Sequence, residues 1–229
     1  MYPRKYLSLF LMLIFGITII TACSDDEEIM APVPSTSKVL VTHASPDAPG
    51  VDILVDNTVA ASNLMFPNSV GYASLNSGTR NIKVNVTGTS TTALEANLNL
   101  SADKNYSVFA VNTVSSIEAI VLEDDLTAPA SGKSHVRFLH LSPDAPAVDI
   151  TLTDGTLVFG NYVFKQASAF TPLNAGSYNL QVRLAGTSTV VLELPNIALT
   201  AGKIYTVFAK GLVAGTGTQA LGAQIIVNN

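Results

Sequence analysis

The chain has 229 residues, 48% of them hydrophobic, only 13% charged and 7% aromatic, with a formal net charge of −5. An acidic balance argues against a nucleic-acid partner, because phosphate recognition needs a surplus of basic side chains. One cysteine in the whole chain excludes an internal disulfide, so the fold depends on core burial alone.

At the N-terminus, Arg4 and Lys5 precede an almost unbroken apolar run over 6–20, which closes in Thr21, Ala22 and Cys23. A charged start, an apolar middle and a small-residue end form a secretory signal. As a membrane span the run falls short of the roughly 20 apolar residues a bilayer requires, and no basic flank follows it. Ile20-Thr21-Ala22-Cys23 resembles the lipobox of bacterial lipoproteins, which implies lipidation of Cys23 and a signal peptide over 1–22. The plainer alternative is a cleaved signal with an incidental free cysteine. Ser24-Asp25-Asp26-Glu27-Glu28, followed by Pro32, Pro34, Ser35, Thr36 and Ser37, has too little apolar surface to offset its ordering entropy, so 23–37 is expected to be a flexible tether. The acidic run also resembles the surface-export signal of some Bacteroidetes lipoproteins; its alternative role is to keep the tether extended and soluble. Removing Arg4 and Lys5 takes the 12 basic residues to ten, against 17 acidic ones, a mature charge of −7.

Beyond the tether one segment occurs twice. His43-Ala44-Ser45-Pro46-Asp47-Ala48-Pro49-Gly50-Val51-Asp52 returns, 97 residues later, as His140-Leu141-Ser142-Pro143-Asp144-Ala145-Pro146-Ala147-Val148-Asp149. A long repeat of this kind marks a duplicated domain. Copy one is expected over 38–123 and copy two over 135–229. The polar stretch 124–134, broken by Pro129 and Gly132, reads as a linker.

Within copy one, turn residues bound short runs that read as strands at 39–44, 51–55, 70–75, 81–87, 93–100, 106–112 and 117–122. In the fourth of these, Ile82, Val84 and Val86 alternate with Lys83 and Asn85, a period of two. Copy two matches with runs at 136–141, 148–152, 167–173, 178–184, 190–194, 204–209 and 223–227. The turns recur as well: Asn76-Ser77-Gly78 with Asn174-Ala175-Gly176, and Gly88-Thr89-Ser90 with Gly186-Thr187-Ser188. No segment of ten or more residues has a helical period, and 57–63 is the least clear of them. About seven strands in each copy predict an all-β fold of two tandem β-sandwich domains of immunoglobulin-like size. A small barrel is the alternative.

The repeated decapeptide, the turn Gly176-Ser177-Tyr178 and the strands Tyr106-Ser107-Val108-Phe109-Ala110 and Tyr205-Thr206-Val207-Phe208-Ala209 together resemble a bacterial family catalogued as domain of unknown function 4397. The resemblance covers 38–229. It implies secreted or lipid-anchored β-rich domains, often in tandem, with no established activity.

Three chemistries suit the signature. His43, Ser45 and Asp47 contain the residue types of an acyl-transfer triad, but triads converge from separate elements, and Pro46 turns the chain between the last two. His43, Asp47 and Asp52, with His140, Asp144 and Asp149 in copy two, offer a nitrogen and two carboxylates to a cation, though without calcium-loop spacing. The third reading is structural. Val39, Val41 and His43 share one strand face, as do Val136, Phe138 and His140, so each imidazole points with the apolar residues. A carboxylate, Asp47 or Asp52, is then expected to accept its ring N–H while the other caps the bend. On this reading His43, Ser45, Pro46, Asp47, Pro49 and Asp52, and likewise His140, Ser142, Pro143, Asp144, Pro146 and Asp149, shape the passage from the first strand to the second.

Gly215-Thr216-Gly217 lacks the flanking strand and helix of a dinucleotide loop and reads as a hairpin turn. His135 is expected to be exposed, and Tyr106, Tyr178 and Tyr205 to belong to the core or its rim. The absence of tryptophan weakens a sugar-stacking platform. The functional expectation is a non-enzymatic, lipid-anchored envelope protein of the outer membrane, on its periplasmic or outward side. It needs no cofactor and acts as a binding, adhesion or structural module for an extracellular protein or glycan. The alternative is a secreted hydrolase or metal-dependent enzyme built on the two His/Asp clusters.

Overall fold

The computed structural model describes residues 34–229; the expected signal peptide, Cys23 and the first part of the tether lie outside the described residues. Copy one runs through β1 (Thr36–His43), β2 (Val51–Val55), β3 (Thr58–Leu64), β4 (Ser69–Asn76), β5 (Gly78–Val86), β6 (Thr92–Leu100), β7 (Asn105–Val111) and β8 (Glu118–Glu123). Copy two runs through β9 (Lys133–His140), β10 (Val148–Leu152), β11 (Leu157–Tyr162), β12 (Thr171–Asn174), β13 (Gly176–Leu184), β14 (Val190–Leu199), β15 (Ile204–Lys210) and β16 (Gly222–Val227). The fold is all-β, two sandwiches in tandem.

The copies share one topology. In copy one, β3-β2-β5-β6 form an antiparallel outer sheet, and β4-β1-β7-β8 an inner sheet in which β1 and β7 are parallel. In copy two the orders are β11-β10-β13-β14 and β12-β9-β15-β16, with β9 and β15 parallel. Each copy thus has eight strands where seven were expected. The additional ones are β3 and β11. The unclear stretch 57–63 is a strand because Asp56 and Asn57 adopt φ of 49° and 66°, the left-handed pair that closes a two-residue hairpin. Asn and Asp tolerate that conformation through local side-chain bonding.

Three apolar layers hold the molecule. One lies between the sheets of copy one, around Ile53, Val84 and Leu98, and another between those of copy two, around Phe138, Ile150 and Val182. The third joins the copies: Leu40, Phe109 and Val111 on one inner sheet meet Leu139, Leu141 and Phe208 on the other. Phe109 and Phe208 hold equivalent places in β7 and β15, are both fully buried, and meet edge to face at 6.1 Å. The parallel inner strands are therefore covered on both faces, which is why β7 is a nearly continuous buried run rather than an alternating one.

In the joining region, read above as a polar linker, Asp124 is buried, and β9 begins at Lys133. His135, expected to be exposed, is half-buried in β9. Tyr106 and Tyr205 are core residues, as expected, and their hydroxyls accept the backbone N–H groups of Ser101 and Thr200 at 3.1 and 3.0 Å.

Candidate functional site

The signature begins where β1 leaves the inner sheet and crosses to the outer one. The backbone N–H of Ala44 donates to Ala110 O at 2.8 Å, continuing the ladder with β7 for one residue before Pro46 ends it. His43 at the end of β1 and Ser45 are fully enclosed. The imidazole Nε2 lies 3.0 Å from the carbonyl oxygen of Pro49. A carbonyl only accepts, so Nε2 carries the proton and Nδ1 is left as an acceptor, filled by the Ser45 backbone N–H at 3.3 Å. Copy two repeats the first bond, His140 Nε2 to Pro146 O at 3.0 Å. The ring partner is thus a proline carbonyl inside the bend and not the carboxylate of Asp47 or Asp52. Burial lowers the pKa of both histidines below the ordinary imidazole value and holds the rings neutral.

The acids reach outward instead. Asp47 accepts the Val114 backbone N–H at 2.8 Å, and Asp144 accepts that of Val213 at 3.0 Å, so the first acid of each signature ties the bend to the loop after β7 or β15. Asp52 accepts the Asn63 N–H at 2.8 Å and the Thr87 hydroxyl at 3.0 Å. Asp149 accepts the Asn161 N–H at 2.6 Å and the Gly186 N–H at 2.8 Å. Asn63 and Asn161 are themselves left-handed, with φ of 52° and 59°. The second acid therefore pins an irregular turn of β3 or β11 and the hairpin between the next two outer strands. The bond from Asn63, above all, holds the Asp52 carboxyl below its usual range.

In both copies the signature side chains diverge. His43, Asp47 and Asp52 point to three different elements, as do His140, Asp144 and Asp149. No group of three or more His, Cys, Asp or Glu side chains is placed to hold a metal ion among the described residues. Among the described residues Ser45 Oγ has no hydrogen-bond partner, and His43 Nδ1 faces the Ser45 backbone rather than its hydroxyl. Ser142 Oγ instead donates to Gly211 O at 2.7 Å. Gly215-Thr216-Gly217 lies in the loop that closes back on β15 through Leu212 and Gln219.

One polar cluster was not foreseen. Arg137 Nη1 lies 2.6 Å from Asp124 Oδ1 with both side chains almost wholly enclosed between the inner sheets. Asp124 also accepts the hydroxyls of Tyr72 and Ser107, the latter at 2.6 Å. Arg137 reaches Thr206 Oγ1 at 3.0 Å, and Thr206 donates to Asn228, whose amide returns to Tyr72 Oη at 3.0 Å. Phe170 covers the guanidinium at 4.4 Å. The Tyr72 hydroxyl pKa is raised, first by burial and then by the Asp124 charge. The one signal in the sequence is Arg137 itself, a single charge within the apolar run Val136-Arg137-Phe138-Leu139. A charge there is buried only if something pairs it.

The family model described as Domain of unknown function (DUF4397) matches residues 37–151 and 151–229. The chain belongs to the DUF4397 family. The two matches meet inside β10, so both signature decapeptides lie in the first of them. No curated protein matches the chain. Among solved structures, this DUF4397 protein is similar to the carbohydrate-binding module CBMbc, family CBM26, from Eubacterium rectale Amy13K in complex with maltoheptaose. The identity is 8% over 82% of this chain and 96% of that one, with a TM-score of 0.26, too distant to bear on this chain's ligand.

Proposed function

We propose that the chain is a lipid-anchored cell-envelope protein of the outer membrane whose tandem sandwiches form a non-enzymatic binding or structural module. One observation carries the reading. In both copies the histidine and the two acids of the signature bond to backbone groups of their own bend and of the loops around it. Groups so engaged brace a scaffold, and a rigid β scaffold presents binding residues on its loops. The anchor rests on the lipobox-like Ile20-Thr21-Ala22-Cys23. An extracellular protein or glycan is the partner class such a module serves.

The test combines two measurements. Alkyne-palmitate labelling in a bacterial host is expected to mark the wild-type chain and to be lost, with membrane association, in Cys23→Ser. His43→Ala and His140→Ala are each expected to lower the melting temperature. A variant that keeps its melting temperature but loses hydrolysis of an ester or peptide panel, or a purified protein holding one tightly bound cation per signature, overturns the reading in favour of an enzyme.

A further inference from the structure

We propose that the second sandwich binds a single alkyl chain in the slot between its two sheets. The two copies share a topology but not an interior. Copy two holds a cavity of about 290 Å³ and, toward the signature, another of about 490 Å³; Val182 and Ala209 line both, so the two spaces adjoin. In copy one the region matching the smaller cavity holds only spaces of about 40 and 10 Å³.

The difference traces to particular residues. Where copy one has Val41, Ala61 and Leu64, copy two has Phe138, Phe159 and Tyr162 at the matching register positions. Those three rings stack and meet edge to face with centroids 5.5 to 6.3 Å apart. Such a cluster is a stiff spacer between β9 and the β10–β11 pair. Farther along the strands Ala209 and Ala223, which copy one matches with Ala110 and Ala119, are too small to refill the separation the rings impose.

The lining names the ligand's chemistry. The smaller cavity has no charged side chain, and of its two hydroxyl residues, Thr156 and Tyr178, the tyrosine already donates to Asn174 O at 2.8 Å. Nothing there rewards a polar ligand. An apolar cavity of about 150 Å³ already takes up a benzene-sized molecule. The space between facing sheets is narrow and runs along the strands, which suits one extended hydrocarbon chain better than a fused ring system. Leu157, which lines the smaller cavity, and Val213, which lines the larger, are both exposed and offer apolar surface to an entering chain.

This inference deepens the binding-module reading and rests on it. The test uses the full chain and two photoreactive probes, decanoic acid with a terminal diazirine and vesicles of phosphatidylethanolamine and phosphatidylglycerol with the diazirine in an acyl tail. Saturable crosslinks are expected on Leu180, Val182 and Leu194 but not on their counterparts Ile82, Val84 and Ala96, and unlabelled decanoate is expected to compete. Labelling by the free acid alone identifies a fatty acid, and labelling from vesicles alone a bilayer lipid; both support the proposal. Ala223→Phe, which fills the slot, is expected to cut labelling several-fold without lowering the melting temperature. Should that variant fail to fold, a wild-type melting temperature that rises with decanoate and saturates with the labelling serves instead. Non-saturable labelling, equal labelling of both copies, or no thermal shift overturns the proposal. If palmitate incorporation and the histidine variants still behave as expected, only the ligand class falls.

Discussion

At the scale of single residues the signature histidines act as neutral braces. Each donates from Nε2 to a proline carbonyl inside its own bend, and burial lowers its pKa. In the unfolded chain both return to an ordinary value of about 6.5. Below that pH the unfolded state takes up protons that the folded state refuses, so their contribution is complete above about 6.5 and is lost as pH falls toward the depressed folded values. Denaturant midpoints measured from pH 7.5 down to 5 are therefore expected to fall, and the fall is expected to shrink in His43→Gln with His140→Gln. Truncation of either ring to alanine leaves a buried carbonyl unpaired and is expected to cost about 1–3 kcal/mol. The position of these rings was legible in the sequence, because alternation along the first strand set them among the apolar residues. Their partner was not. The sequence offered two nearby carboxylates, and only the path of the bend brings the Pro49 and Pro146 carbonyls to the ring.

At the scale of elements, the second acid of each signature coordinates three strands that sequence distance keeps apart. Asp52 on β2 holds Asn63 in β3 and Thr87 after β5. Asp52→Ala is expected to speed amide exchange at Asn63 and around Gly88 while leaving exchange in β7 unchanged. Uniform acceleration throughout copy one would show that the acid supports the whole core rather than those two turns. Most strands announce themselves by alternation or by turn residues, as β5 does through Ile82, Val84 and Val86. β3 does not, because Thr58–Leu64 is mostly exposed and its apolar residues, Val59, Ala60, Ala61 and Leu64, do not alternate. Its pairing with β2 follows from the left-handed Asp56-Asn57 turn, whose residue types mark a turn but not the strand beyond it.

At the scale of the molecule, the copies are joined by the apolar layer around Phe109 and Phe208 and by the enclosed Arg137–Asp124 pair. Removing one member of a buried pair strands the other charge, so Arg137→Ala is expected to cost roughly 3–5 kcal/mol. Arg137→Leu combined with Asp124→Leu, which places in β9 the residue type that copy one has at Leu40, is expected to recover most of that loss. The measurement is chemical denaturation, with one transition expected for the wild type because both halves share the layer. Two separate wild-type transitions would show that the layer does not couple them. Duplication, the β-sandwich class, the turns and the inward direction of the signature histidines were determined by the sequence itself, since repetition and periodicity are local properties of the chain. The burial of Asp124, the closed polar ring through Tyr72 and Asn228, and the open interior of copy two were decided only by tertiary structure. Each depends on which surfaces meet across long separations in sequence, and no local pattern records that.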